Sequence, residues 1–326
     1  METKAIRKAI ACLAVIVVAS IFCVGDVLAW NWGVHAYIDD NLGKSGPLRN
    51  MNEIYGGVGP DVFNYMFDDP QLREYLFQKT HEDFMGLWRK ACTPLGKAEA
   101  YGFVSHNELW GADHTAHVKA HTLGDEVTEG YVIVKARALG EAAPSFGLPQ
   151  LELLGIPAPV ALVFYHNLVE AAVDILLIRD HPDIDIGRRL ASSAILRSPE
   201  FPLLLVRAYA KDFAQAKGVP YVEAVKLITA SEKEFRKSVV LYGQTLMQDE
   251  NTAIQLLSEQ MADLAMSFLA ANGLGLPEGY TVADLVLLAN GYIRVAMLFC
   301  AADYADEIAA TIEFVRGGLE SNHISY

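Results

Sequence analysis

The chain has 326 residues, of which 52% are hydrophobic and 20% charged. A chain this long and this apolar can offset the entropy of ordering itself, which excludes intrinsic disorder and a small stapled fold. Lys and Arg number 26 against 40 Asp and Glu, a formal net charge of −14, so a polyanion is repelled on average and long nucleic acid is not an expected partner.

At the N-terminus, Lys4, Arg7 and Lys8 precede an apolar run from about Ala9 to Gly25, closed by Asp26-Val27-Leu28-Ala29. Val27 and Ala29 sit three and one positions before the Ala29–Trp30 bond, the pattern of a signal-peptidase site. Residues 1–29 therefore read as a signal peptide and the protein as secreted or periplasmic. An uncleaved anchor is the competing reading, but the run is at the short end for crossing about 30 Å of hydrocarbon. Cys12 and Cys23 fall in this leader. Cys92 and Cys300 remain, either paired in an oxidising compartment or present as two thiols, and a Cys-rich zinc site is excluded.

Beyond Trp30 the chain reads as helix nearly throughout. Apolar periodicity predicts helices over about 33–42, 60–67, 70–90, 94–122, 125–140, 158–179, 184–195, 200–216, 220–246, 248–272 and 281–315. Gly43 and Gly273 act as stops and Thr281 as a cap. Val132-Ile133-Val134 is the one stretch where a strand fits. No repeat or low-complexity linker divides residues 30–326. The expected fold class is all-α, a single multi-helix domain around a buried metal cluster, with ligands in 30–175 and scaffold helices in 176–326.

Seven of the nine His fall between residues 35 and 166. His106, Asp113, His117 and His121 follow one another at offsets of 7, 11 and 15, so one face of a continuous helix would present all four, while His114 points elsewhere. His166-Asn-Leu-Val-Glu170 places imidazole and carboxylate one turn apart in an otherwise apolar helix. A charged carboxylate buried there is costly unless it meets a cation, and a metal ion is the simplest answer. Either segment alone also fits a hydrogen-bonded core pair, but together they supply more ligands than structural pairing needs. Nitrogen and oxygen donors without thiolate suit zinc and do not exclude iron or manganese. The spacing differs from the Glu-x-x-His pairs of four-helix di-iron sites. With no nucleophile elbow, phosphate-cradling Gly loop or redox dithiol, serine-nucleophile and nucleoside triphosphate chemistry fall away.

Trp30-Asn-Trp-Gly-Val-His35, Gly59-Pro-Asp61, Thr80-His81, the His106/Asp113 segment and His166-x-x-x-Glu170 together resemble the zinc-dependent phospholipase C family, which shares a superfamily with fungal single-strand-specific nucleases. The resemblance spans roughly residues 30–175. It implies an all-helical secreted enzyme with three zinc ions. Asp61, His81 and His106 resemble the ligands of the first zinc, with Asp113 bridging, and His117, His166 and Glu170 those of the second. Trp30 and His35, with Asp113, resemble those of the third, Trp30 through the amino group and carbonyl of the processed N-terminus.

The family usually places the bridging Asp one turn after its His, where this chain has Trp110. Two helical turns between His106 and Asp113 amount to about 10 Å, so a loop around Gly111, or a substitute such as Glu108, is required. His121, and after it His114, competes with His117 for the second zinc. The implied reaction is hydrolysis of a phospholipid or another small phosphodiester by metal-activated water, with transient membrane-surface contact and Asp61 as candidate proton acceptor. A single-strand nuclease or 3′-nucleotidase is the enzymatic alternative, and a secreted metal-binding helical protein without turnover the non-enzymatic one. Trp32, Tyr55, Phe63, Tyr65, Phe67 and Trp110 are expected as core or as pocket lining.

Overall fold

The computed structural model describes residues 30–43, 46–65, 75, 77–271 and 273–326. The leader expectation for residues 1–29 lies outside the described residues, as does Phe67. The described chain is all-helical and contains no strand. Its α-helices are α1 (Trp32–Leu42), α2 (Pro47–Val58), α3 (Met85–Lys90), α4 (Pro94–Ser105), α5 (Tyr131–Ala142), α6 (Ala158–Asp180), α7 (Ile186–Leu196), α8 (Phe201–Lys217), α9 (Tyr221–Leu246), α10 (Glu250–Ala271), α11 (Val282–Cys300) and α12 (Tyr304–Ser321).

Helix starts follow local chemistry. Asn31 caps α1 by accepting from Trp32 N, and Asp174 of α6 accepts from Gly33 N at 3.1 Å and Val34 N at 2.8 Å. The otherwise orphaned donors of that first turn are thus satisfied from inside and outside the helix. Thr93 caps α4 ahead of Pro94, and Thr281 and Asp284 form a reciprocal capping box on α11.

The centre of the molecule is α6, in which every residue from Tyr165 to Leu177 is buried. A helix apolar on nearly all sides needs neighbours on all sides. It has them in α1, α5, α10 and α11. Polar residues interrupt it at positions 166, 170 and 174, a four-residue spacing that puts His166, Glu170 and Asp174 on one face. Both α6 and α11 are long and apolar enough to cross a membrane. Burial accounts for the composition of α6, whereas α11 leaves Leu287 and Leu298 exposed.

The second packing unit joins α2 to α4. A Cβ at Gly56 would lie 2.0 Å from Glu99 O, and one at Gly102 would lie 2.0 Å from Glu53 O. Only glycine permits backbones this close. The contact brings the end of α2, and the Gly59–Tyr65 turn after it, against the end of α4.

Several expected helices are shorter than periodicity suggests. The 94–122 helix stops at Ser105, the 281–315 helix breaks between Cys300 and Tyr304, and 60–67 is a tight turn through Tyr65. Val132–Val134 belongs to α5. Cys92 is exposed and Cys300 buried, and both are free thiols, so no bridge joins them.

Glu99 is fully buried on α4, and neither of its carboxylate oxygens has a hydrogen-bond partner. Burial pushes its carboxyl up to about 9, with Arg197 opposing. The folded protein thus keeps a proton that the unfolded chain loses above about 4.5. That proton's contribution is therefore present in acid and is lost as pH rises toward 9. Glu99→Gln is expected to flatten the pH dependence of unfolding free energy by about 1.4 kcal/mol per pH unit between pH 6 and 8. Urea titrations across that range test it, and parallel wild-type and variant curves would refute it.

Candidate metal centre

Six separate segments deliver the site. α1 carries His35, the turn after α2 carries Asp61, the turn Gln78–Glu82 carries His81, and His106 caps the C-terminal end of α4. The loop that follows brings Asp113 and His117, and α6 supplies His166 and Glu170.

The loop after His106 shows how the long His-to-Asp interval closes up. The buried Asn107 accepts from Leu109 N and Trp110 N through Oδ1, at 2.8 and 2.9 Å, and Gly111 N donates to Asn107 O. A Cβ at Gly111 would meet Asn107 N and O at 2.4 Å, so the turn requires glycine there. The chain doubles back, Asp113 N donates to His106 O at 2.9 Å, and the two side chains face each other. The expected continuous helix would have held them apart.

The ligand-type atoms converge in four overlapping groups, each with its atoms within 4.8 Å of one another. They are Asp61–His81–His106, His35–His106–Asp113, Glu108–Asp113–His117 and His117–His166–Glu170. Asp113 is the hub. Its Oδ1 lies 3.2 Å from His35 Nε2, and its Oδ2 lies 3.0 Å from His106 Nε2 and 3.7 Å from His81 Nε2. Asp61 Oδ1 faces His81 and His106 at 3.9 and 4.0 Å, while its Oδ2 accepts from Trp32 Nε1 at 2.9 Å. His166 Nδ1 and Glu170 Oε1 are 3.6 Å apart.

Outer contacts bear on the imidazole tautomers. His106 Nδ1 lies 2.6 Å from Gly57 O. A carbonyl can only accept, so Nδ1 of His106 carries a proton and its Nε2 faces inward. His81 Nδ1 lies 2.7 Å from the Thr80 hydroxyl, which can donate or accept, and 3.3 Å from Phe77 O. Burial, followed by the neighbouring imidazoles, holds His35, His81 and His166 well below the usual histidine range, which keeps them neutral. Burial lowers His106 as well, but Asp113 and Asp61 outweigh it and raise the group. Glu170 is pushed well above the carboxylate range by burial and then by Asp113, Asp61 and Asp174. Crowded acids without a nearby fixed cation behave this way.

Partnerless buried atoms provide the test of fit. His35 Nε2, His106 Nε2, both Asp113 oxygens, His117 Nε2, both His166 nitrogens and Glu170 Oε1 have no hydrogen-bond partner. His106 Nε2 and Asp113 Oδ2 do stand 3.0 Å apart, the distance of an ion pair when the imidazole is protonated. Such buried atoms cost roughly 1–3 kcal/mol each when unsatisfied. The nitrogen–oxygen set, with lone pairs facing shared centres, can bind divalent metal ions.

A cleft of about 860 Å³ opens onto the group at His117 and His166. Phe77, Leu109, Ile133, Leu162 and Val163 form apolar walls, and Glu82 and Glu108 supply acidic groups.

Not every expected residue joins the cluster. His121 lies outside all four groups, with its ring against Phe314 at 4.6 Å and its backbone N donating to Glu307. The break in the helix at His106 removes the periodicity that put His121 on the ligand face. His114 also turns onto Phe314. Trp30 is buried, stacked on Tyr131, and its Nε1 donates to Thr115 between Asp113 and His117.

Most of the aromatics are core. Tyr55 packs on Phe201, Phe63 on Tyr209 and Trp110 on Phe84. Trp32 packs edge-on against Phe235 and Tyr242 while binding Asp61. The Tyr65 side chain lies outside the described residues. Phe77, which the sequence does not single out, stacks on His81 at 4.1 Å and lines the cleft. Asp174 was also missed, although its spacing four residues after Glu170 was a readable signal.

No family model, curated protein or solved structure matches this chain.

Proposed function

We propose that the protein is an exported zinc-dependent phosphodiesterase of the phospholipase C type, acting on a phospholipid or a similarly small diester. One observation carries this reading: imidazoles and carboxylates from six segments, with partnerless buried atoms on His35, His106, Asp113, His117, His166 and Glu170, converge beside a cleft whose walls are apolar. Asp61, His81 and His106 would hold one zinc, and His117, His166 and Glu170 a second. His35 would hold a third with the amino end of Trp30 once the leader is removed. Asp113 would be shared among them. Clustered divalent ions lower the pKa of water to about 7, neutralise phosphoryl oxygens and stabilise the leaving oxygen.

The protein's own residues orient and shield that chemistry. Gly57 O holds the His106 ring with Nδ1 outward, and the Thr80 hydroxyl and Phe77 O hold the His81 ring in the same way. Trp32 Nε1 pins one Asp61 oxygen and leaves the other facing the imidazoles. At 8% exposure, Asp61 is more open to solvent than Asp113 at 0% or Glu170 at 4%, and it is the proposed acceptor of the attacking water's proton. The apolar walls suit acyl and glycerol carbons, and the two glutamates disfavour a polyanionic strand.

Protein beginning at Trp30 is to be assayed on phosphatidylcholine vesicles, a chromogenic phosphodiester and single-stranded DNA, with and without chelator. Chelator-sensitive hydrolysis of the first two is the expected result. Preference for DNA would transfer the assignment to the nuclease branch. Bound zinc with no turnover on any substrate would leave a non-catalytic metal-binding protein.

A further inference from the structure

We propose that Glu108 is a positioning residue for the second metal site, acting through His117 and not as a ligand. The proposal rests on the metal-centre reading above and adds a residue that the ligand pattern does not contain.

Glu108 sits in the loop that lengthens the interval between His106 and Asp113. Its Oε1 lies 2.6 Å from His117 Nδ1. His117 Nε2 is buried without a partner, and its ring is 5.0 Å from that of His166. A carboxylate accepting from Nδ1–H fixes the tautomer and ring angle, makes Nε2 the better donor and leaves it directed at the group containing His166 and Glu170.

The same residue is anchored through its backbone. Glu108 N donates to His81 O at 3.1 Å, and Glu108 O faces His114 Nδ1 at 3.0 Å. One loop residue thus ties the His81 turn to the His117 turn, so the first and second metal groups share a strut. Glu108 also lies within 4.8 Å of Asp113 and His117 ligand atoms, which makes direct ligation the rival role. The 2.6 Å contact favours the outer role, because Oε1 already serves the imidazole proton.

The test uses protein beginning at Trp30, loaded with Zn²⁺ and titrated against a competing chelator. Glu108→Ala is expected to weaken one ion about 10–100-fold with unchanged stoichiometry at saturation. Glu108→Gln, whose amide oxygen still accepts from Nδ1–H, is expected to recover most of that affinity. With Co²⁺ as probe, the visible absorption of Glu108→Gln is expected to match wild type, since no ligand is lost. A sharp Nδ1–H proton resonance of His117, present in wild type and Glu108→Gln and missing in Glu108→Ala, reports the contact even if affinity is hard to resolve. Equal zinc affinity in Glu108→Ala overturns the proposal, and so does a changed cobalt spectrum or one fewer ion in Glu108→Gln. Wild-type protein that retains no divalent ion would instead overturn the metal-centre reading itself.

Discussion

Asp113→Asn is expected to strip the centre of most of its metal and to lower chelator-sensitive turnover on the order of 10³-fold or more. Both carboxylate oxygens are committed: one lies 3.2 Å from His35, and the other lies 3.0 Å from His106 and 3.7 Å from His81. Asp113 also belongs to the group with Glu108 and His117, so two of the four groups contain it, and it stands 3.0 and 3.7 Å from two members of a third, Asp61–His81–His106. An amide removes the negative charge that a divalent ion needs and offers a single weaker oxygen donor. Metal content per chain by elemental analysis is the primary readout, because activity alone would not separate lost binding from lost chemistry. His121→Ala, which alters a ring packed on Phe314 outside the four groups, is expected to retain its metal. Full metal content in Asp113→Asn would remove the hub from the proposed centre.

Gly102→Ala is expected to destabilise the fold by about 3 kcal/mol. The added Cβ would stand 2.0 Å from Glu53 O and 2.7 Å from Gly57 N. Both obstacles are backbone, so no side-chain rotation relieves them and α2 must move away from α4. The effect reaches the site, because Gly57 O orients His106 and the turn after α2 carries Asp61. Weaker zinc binding is therefore expected alongside the lower urea midpoint. Gly317→Ala on α12 is the control. A Cβ there meets nothing within 4 Å, and alanine is favoured in a helix interior by about 0.5–1 kcal/mol. If both substitutions shifted stability alike, close backbone approach would not be what joins α2 to α4.

Helix content and the main ligand candidates were legible before any tertiary contact was known. Apolar periodicity marks helices reliably when a long segment has one buried face, as in α9, or no exposed face, as in α6. His166 and Glu170 stood out because a carboxylate one turn from an imidazole contradicts the apolar sequence around them. Among the expectations that failed, the one that matters to the site is continuity from 94 to 122. Periodicity treated Asn107 and Gly111 as tolerable interruptions, whereas the Asn107 side chain bonds the backbone of 109 and 110 and ends the helix. His121 was misplaced for that reason, and Glu108 gained its partner for the same one.

By itself, then, the order of residues determined an all-helical chain and which imidazoles and carboxylates were too polar for their surroundings, because both follow from local spacing and the cost of burial. Which of those groups meet was decided only by the folded chain. The reversal at Gly111, the glycine-permitted contact of α2 with α4 and the insertion of α6 beside α1 each depend on atoms far apart in sequence. Spacing along a helix carries no information about what a loop does when it turns, and the partners of His35, Asp61 and Glu108 are all set by such turns.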